Sequence, residues 1–188
     1  MAANKLVTLI DGSVYAESVC DHAAWVAKRT DAEIELLHVI GRRQAGRLDV
    51  SGTIALGARS SMLEELTKLE GDIARVGQEH GRALLDGAAN RIEATGLKRP
   101  ETRLRIGDLI DETNEALTQA DFLVIGKRGE AADFARMHLG SNLERMVRSC
   151  SKPILVASRS FKPIERVLIA YDGRASSRKA VEAVGTHP

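Results

Sequence analysis

Hydrophobic positions in this chain alternate between short unbroken runs and a rhythm of three to four residues. Lys5 to Ile10 is a continuous apolar run stopped by Asp11-Gly12-Ser13, which predicts a buried strand followed by a turn. From Ala16 to Thr30 apolar residues return at helical spacing, with Val19, Ala23 and Val26 on one stripe and Trp25 beside it. Asp31-Ala32 turns the chain into a second strand, Glu33 to Ile40. The polar stretch Gly41 to Gly57, with Arg42, Arg43 and Arg47 and no clear period, reads as a loop over one end of the sheet. Ser60 to Thr95 predicts one long helix, with Gly77, Gly81 and Gly87 as candidate weak points and Gly96 as C-cap. Then follow a strand (Thr102 to Ile106), a helix (Asp108 to Ala120), a strand (Phe122 to Ile125), a helix (Ser141 to Ser149) and a fifth strand (Pro153 to Ala157).

Strands alternating with helices define an α/β fold: an open, five-stranded parallel sheet with right-handed crossovers and helices on both faces. Ligands of such sheets sit beyond the C-terminal strand ends, where strand order reverses. Asp11, Val39 and Gly126 all fall at those ends, which makes one shared site geometrically reasonable.

After Pro163 the pattern restarts. Val7-Thr-Leu-Ile-Asp11-Gly12-Ser13 aligns with Leu168-Ile-Ala-Tyr-Asp172-Gly173-Arg174, and Val19 and Ala23 fall opposite Ala180 and Val184. Residues 1–158 therefore read as one domain, and 159–188 as a linker and the truncated start of a second unit, too short to bury a core of its own. The plainer reading is a chance Asp-Gly in a C-terminal extension. On the repeat reading, Arg166 to Ala170 is an extra C-terminal strand that should seek a sheet edge, in its own molecule or a partner.

Composition narrows the function. Of 188 residues 44% are hydrophobic but only 3% aromatic, so aliphatic side chains must build the core. With 27 basic and 26 acidic residues, no large field draws the chain to nucleic acid or a membrane. No apolar run approaches the ~20 residues of a membrane span, and Met-Ala-Ala-Asn-Lys lacks the apolar centre of a secretion signal. A cytoplasmic protein is expected. Cys20 and Cys150 share no metal-like spacing and read as small buried thiols.

The chemistry concentrates in Phe122-Leu-Val-Ile-Gly126-Lys-Arg-Gly129, followed ten residues later by Gly140-Ser141 at the start of a helix. Glycines let backbone N–H groups approach an anion closely, and a helix N-terminus adds unpaired donors. Ser141 can offer an N–H and a hydroxyl, and Asn142 a further donor. Lys127 and Arg128 flank the glycines and could screen phosphate charge, although two adjacent basic residues on a loop are usually just solvated. A carboxylate at Asp11 can accept hydrogen bonds from a ribose or an adenine amine but repels phosphate, so it is expected away from the glycine loop. Its other reading is an N-cap for the first helix, and the two roles can coexist. His38 should point to the face opposite Val39 and be a satisfied core or interface histidine. No Gly-x4-Gly-Lys-Ser/Thr sequence, no supported Ser-His-Asp or Cys-His set and no convincing acidic cluster for magnesium is present. Without a placed base or transition-state cation, hydrolysis should be slow or nil, which favours a binding module over an enzyme.

Four pieces occur in order on this framework: Leu9-Ile10-Asp11-Gly12-Ser13, Leu36-Leu37-His38-Val39, the glycine loop, and Ser151-Lys152-Pro153-Ile154-Leu155-Val156. Together they resemble the universal stress protein family, whose Gly-x2-Gly-x9-Gly-Ser/Thr signature is matched here with a second gap of ten residues. Leu143 also departs, standing where many nucleotide-binding members have a small or hydroxylated residue. The resemblance implies an adenine nucleotide alpha hydrolase-like fold and an ATP-binding, stress-response regulatory module, with magnesium as an optional bridge. It implies that Asp11 faces the adenosine, that the Val39 backbone bonds adenine, and that Gly126, Gly129, Gly140, Ser141 and Asn142 hold the phosphates. It further implies a homodimer through the edge of the fifth strand. The alternative within the same fold is a nucleotide-free dimerisation scaffold.

Overall fold

The computed structural model describes residues 5–41, 59–129 and 141–186. Its elements are β1 (Lys5–Leu9), α1 (Ala16–Thr30), β2 (Glu33–Gly41), α2 (Arg59–Glu93), β3 (Glu101–Gly107), α3 (Leu109–Ala116), β4 (Phe122–Gly126), α4 (Ser141–Ser149), β5 (Ile154–Ala157) and α5 (Ala175–Thr186). The five strands form one sheet in the order β3-β2-β1-β4-β5, and every pairing is parallel. This is the α/β architecture expected from the sequence, with β5 on an edge. The stretch 42–58, read as a loop, lies outside the described residues.

The central strands β1 and β4 are largely apolar because helices cover both faces, whereas edge strand β3 alternates Arg103 and Arg105 with Leu104 and Ile106. Leu6, Ile10, Leu36 and Val124 pack with Val19 of α1 and Leu85 and Ile92 of α2. Val7, Leu37, Leu123 and Ile125 pack on the other face with Ile110 of α3 and Met146 of α4. Each such side chain, fully buried, contributes roughly 1.5–3 kcal/mol over exposure.

Local signals set the helix ends. Asp108 caps α3, its Oδ1 accepting from the N–H of Ile110 at 2.9 Å and of Asp111 at 3.4 Å. The Ile110 bond foremost, and next the bond from the Arg145 guanidinium, hold its carboxyl below the usual range. The helix ends sooner than expected and finishes as a 3-10 turn, Leu117–Gln119. Gly96 adopts φ +88, in keeping with its capping role.

The long helix expected over Ser60 to Thr95 is borne out, and the extra strand is corrected. Helix α2 runs unbroken for 35 residues through all its glycines. At Gly81 a β-carbon would lie 2.8 Å from the side chains of both His38 and Leu104, so this glycine lets the helix sit down on β2 and β3. The extra C-terminal strand is not formed. Residues 166–170 have no regular structure, and the sheet has only its five strands among the described residues. A strand needs a neighbour's ladder to satisfy its backbone, and none lies beside this one. The linker does touch the domain, with Phe161 meeting the His22 ring edge-on at 4.9 Å between centroids.

At the N-terminal end of the sheet, Glu35 of β2 is almost completely buried. Lys5 of β1 bonds its Oε2, and Arg103 Nε of β3 lies 3.3 Å from its Oε1, an ion-pair contact outside good hydrogen-bond geometry. The Glu35 bond raises the Lys5 pKa above the usual lysine value. Among the described residues no helix is long and apolar enough to cross a membrane.

Candidate functional site

Strand β1 is where the sheet changes direction. The chain steps outward from it to β2 and β3, then returns on its other side as β4 and β5. Helix α1, which follows β1, covers one face, and α4, which follows β4, covers the other. The two strand ends therefore part into a crevice, the position where open α/β sheets hold ligands.

Backbone bonds fix the floor of this crevice. The N–H of Ile10 donates to Leu37 O at 2.9 Å, carrying the β1–β2 ladder one residue past β1. His38 Nδ1–H donates to Ile10 O at 2.7 Å, which sets its tautomer because a carbonyl can only accept. His38 is thus the satisfied histidine expected from the sequence, and it also steadies the residue before Asp11. Leu37 and Val39 have the same parity in β2. Since the Leu37 carbonyl faces β1, so do the backbone groups of Val39, at a level where β1 has ended. The Val39 side chain packs on the α3/α4 face.

Asp11 is not the N-cap of α1. Its Oδ1 accepts from the Ser13 N–H at 3.1 Å, Ser13 Oγ accepts from the Tyr15 N–H at 3.3 Å, and the cap position is Tyr15, whose side chain makes no capping bond. Nor does Asp11 stand away from the glycine loop. A β-carbon on Gly129 would come within 3.0 Å of Asp11 Oδ2. The expectation from charge repulsion is overruled by topology, because β1 and β4 are neighbours whose ends lie only ~4.8 Å apart.

Gly126 has its own steric reason. A β-carbon there would lie 3.0 Å from Tyr15 Cβ and 3.3 Å from Arg128 O, so the exit of β4 passes closely over the first turn of α1. The Lys127 N–H donates to Ala157 O at 3.0 Å, extending the β4–β5 ladder. Lys127 is exposed as expected, but Arg128 is half-buried and its Nε is enclosed without a hydrogen-bond partner.

Gly140 and the loop 130–139 lie outside the described residues. Ser141 is the first residue of α4 and Asn142 is exposed in its first turn. Leu143 is buried in the α3/α4 core, so its size serves packing. Arg145 Nη2 reaches Asp108 Oδ2 at 3.2 Å and ties the start of α4 to the cap of α3. The described structure therefore brings Asp11 against Gly129, sets Gly126 over Tyr15 at the exit of β4, places Val39 on the next strand over, and supplies Ser141 and Asn142 at a helix start.

Reactive groups are sparse among the described residues. Burial pushes the Cys20 thiol up to about 12, which leaves it un-ionised and unreactive at neutral pH. The Cys150 thiol donates to Lys152 O at 3.4 Å. No group of three or more His, Cys, Asp or Glu side chains is placed to hold a metal ion among the described residues.

Fold and site define a doubly wound α/β protein with a glycine-bordered crevice at its switch point. The pattern of the universal stress protein family matches residues 3–158, and the chain belongs to that family. It is 34% identical over 181 residues to a universal stress protein of Synechocystis sp., covering 95% of this chain and 63% of the relative. The crystal structure of a universal stress protein from Archaeoglobus fulgidus superposes with a TM-score of 0.66 at 23% identity, over 98% of this chain and 62% of that one. This chain thus spans less than two thirds of the length of both. A third similar structure, of a universal stress protein in complex with cAMP, has a TM-score of 0.57 at 20% identity, covering 85% of this chain and all of that one.

Proposed function

We propose that this protein is an ATP-binding regulatory module that acts by nucleotide-dependent association and not by fast catalysis. The observation that carries this reading is the meeting of Asp11 with Gly129 at the switch point, beside the β1-facing backbone of Val39. Successive strands β2, β1 and β4 carry the three positions, spread over about 10 Å at ~4.8 Å per strand. That order suits a base at Val39, a ribose at Asp11 and phosphates running from Gly129 toward the start of α4. Arg128 supplies the cation that such phosphates need beside the Asp11 carboxylate. The family and a structural neighbour crystallised with cAMP support an adenine nucleotide as the occupant.

Titration calorimetry with ATP tests the reading. Wild type should bind, and Gly129→Val, whose side chain would collide with Asp11, should lose binding while keeping its thermal transition. Equal retention of ATP by both proteins would refute the site. Arg128→Ala should weaken ATP by about tenfold, the scale of a lost charge-assisted bond, and leave adenosine binding unchanged. Multiple turnovers of ATP abolished by Ser141→Ala would replace the binding module with an enzyme.

A second reading has one observation in its favour: Gly126 is required by its approach to Tyr15 whether or not a ligand is present. On that reading the chain is a nucleotide-free scaffold pairing through the β5 edge. A dimer by light scattering with no ATP uptake would select it.

A further inference from the structure

The long helix α2 carries two stripes, and only one of them is used by the domain. Gly81, Leu85, Ala88 and Ile92 form the buried stripe that faces the sheet, and it continues toward the N-terminus through half-buried Gln78, Gly77, Ala74 and Glu70. Leu69, Ile73 and Val76 each stand one residue before a member of that continuation, about 100° around the helix at 3.6 residues per turn. All three are exposed. With half-buried Leu66 they repeat at alternating steps of three and four, the spacing of a coiled-coil seam. The helix is also open nearby, since β-carbons on Gly71 and Gly77 would meet nothing within 4 Å.

Charge decides what can lie on this seam. The positions flanking it are Glu65, Asp72 and Glu79 on one side and Glu70 and Gly77 on the other. Residues 64–80 hold five carboxylates against two cations, Lys68 and Arg75. Arg75 is engaged within the helix, bonding Glu79 at 2.9 Å and approaching Asp72 at 3.8 Å. Two copies of this helix would oppose acid to acid in parallel, Glu65 against Glu70, and in antiparallel, where the Glu65, Asp72 and Glu79 rows face each other. A second copy of the same stripe is therefore a poor occupant.

We propose that the Leu69–Ile73–Val76 face of α2 docks an amphipathic helix of a different protein, one whose apolar seam is flanked by lysine or arginine. The docking stands apart from the crevice and does not depend on nucleotide binding. It completes the seam as a two-stranded coiled coil, with cations of the partner beside Glu65, Asp72 and Glu79.

The test uses the full chain and three synthetic peptides of about three heptads, followed by fluorescence anisotropy. One carries leucine at the seam and lysine on both flanks, a second has the same composition in scrambled order, and a third has glutamate on the flanks. The lysine heptad should bind, and should weaken as salt rises to about 1 M, where screening shortens to ~3 Å. The scrambled and glutamate peptides should not bind. Ile73→Glu and Leu69→Glu, at exposed positions that leave the thermal transition unchanged, should each weaken the lysine heptad by about tenfold or more. Failure of that peptide to bind, equal binding of the scrambled one, or indifference to both substitutions would overturn the proposal. A dimer of the protein alone that Ile73→Glu abolishes in sedimentation equilibrium would overturn it in favour of a second copy.

Discussion

An apolar run ending in Asp-Gly occurs twice in this chain, and the two copies end in opposite surroundings. In the first, Leu6 and Val7 are fully buried in a central strand; in the second, their counterparts Val167 and Leu168 are 60% and 98% exposed in a segment without regular structure. The turns nevertheless share a bond. Asp11 Oδ1 accepts from the Ser13 N–H at 3.1 Å, and Asp172 Oδ1 from the Arg174 N–H at 3.0 Å. A helix follows each, five residues on in α1 and three in α5, where Gly173 takes φ +78 and Ser177 Oγ–H donates to Asp172 at 2.8 Å. Turn and helix are satisfied by neighbours in sequence, so they form in either setting. The strand is satisfied only by neighbours in space, and only the first copy has them.

Paired substitutions at matching positions put this contrast to the sharpest test. Leu6→Ala should cost about 2–5 kcal/mol in urea unfolding, while Val167→Ala should stay within ~0.5 kcal/mol. Comparable losses at both sites would mean that the second segment is packed in solution. Next in size is a chemical contrast at Cys20 and its counterpart Val181. Iodoacetamide at pH 8 should leave Cys20 unmodified in the folded protein, its pKa being pushed up to about 12, yet label a Val181→Cys variant readily. The smallest effect concerns pH. Bonds from Arg174 N–H and then Ser177 hold the Asp172 carboxyl below its usual range, so its support of the first turn of α5 is complete above that range and fades as pH falls through the lowered value. Amide protection factors across residues 175–186, taken against intrinsic exchange at the same pH, should therefore fall on acidification, with the global transition unaffected by Asp172→Ala at neutral pH.

The same distinction explains what the sequence could and could not disclose. Five strands were legible because a short apolar or alternating run between turn residues has few other uses in a chain of this pattern, and Asp108 announced a helix start through its own side chain. Arg166 to Ala170 carries an equally good strand pattern, but pattern alone cannot supply a ladder. At the crevice, Asp11, Val39 and the glycines were readable as strand-end residues, whereas the closeness of Asp11 to Gly129 depends on which strands are neighbours. Gly81 looked like a flaw in a helix because its partners, His38 and Leu104, come from two distant strands. For Arg128 the pattern leaves a solvated cation and a phosphate screen both open, since the enclosure of its Nε shows only in the folded chain.

Glu35 has a consequence for how the protein tolerates change. Its carboxylate sits between Lys5 and Arg103 at the pole of the sheet farthest from the glycines. Sliding β2 by one residue would swing that charge to the other face and strand it without counterions, a penalty of several kcal/mol. Alignment of three strands is thus pinned at the keel, which leaves the opposite rim free to be rebuilt, residue by residue, without the hull losing its lines.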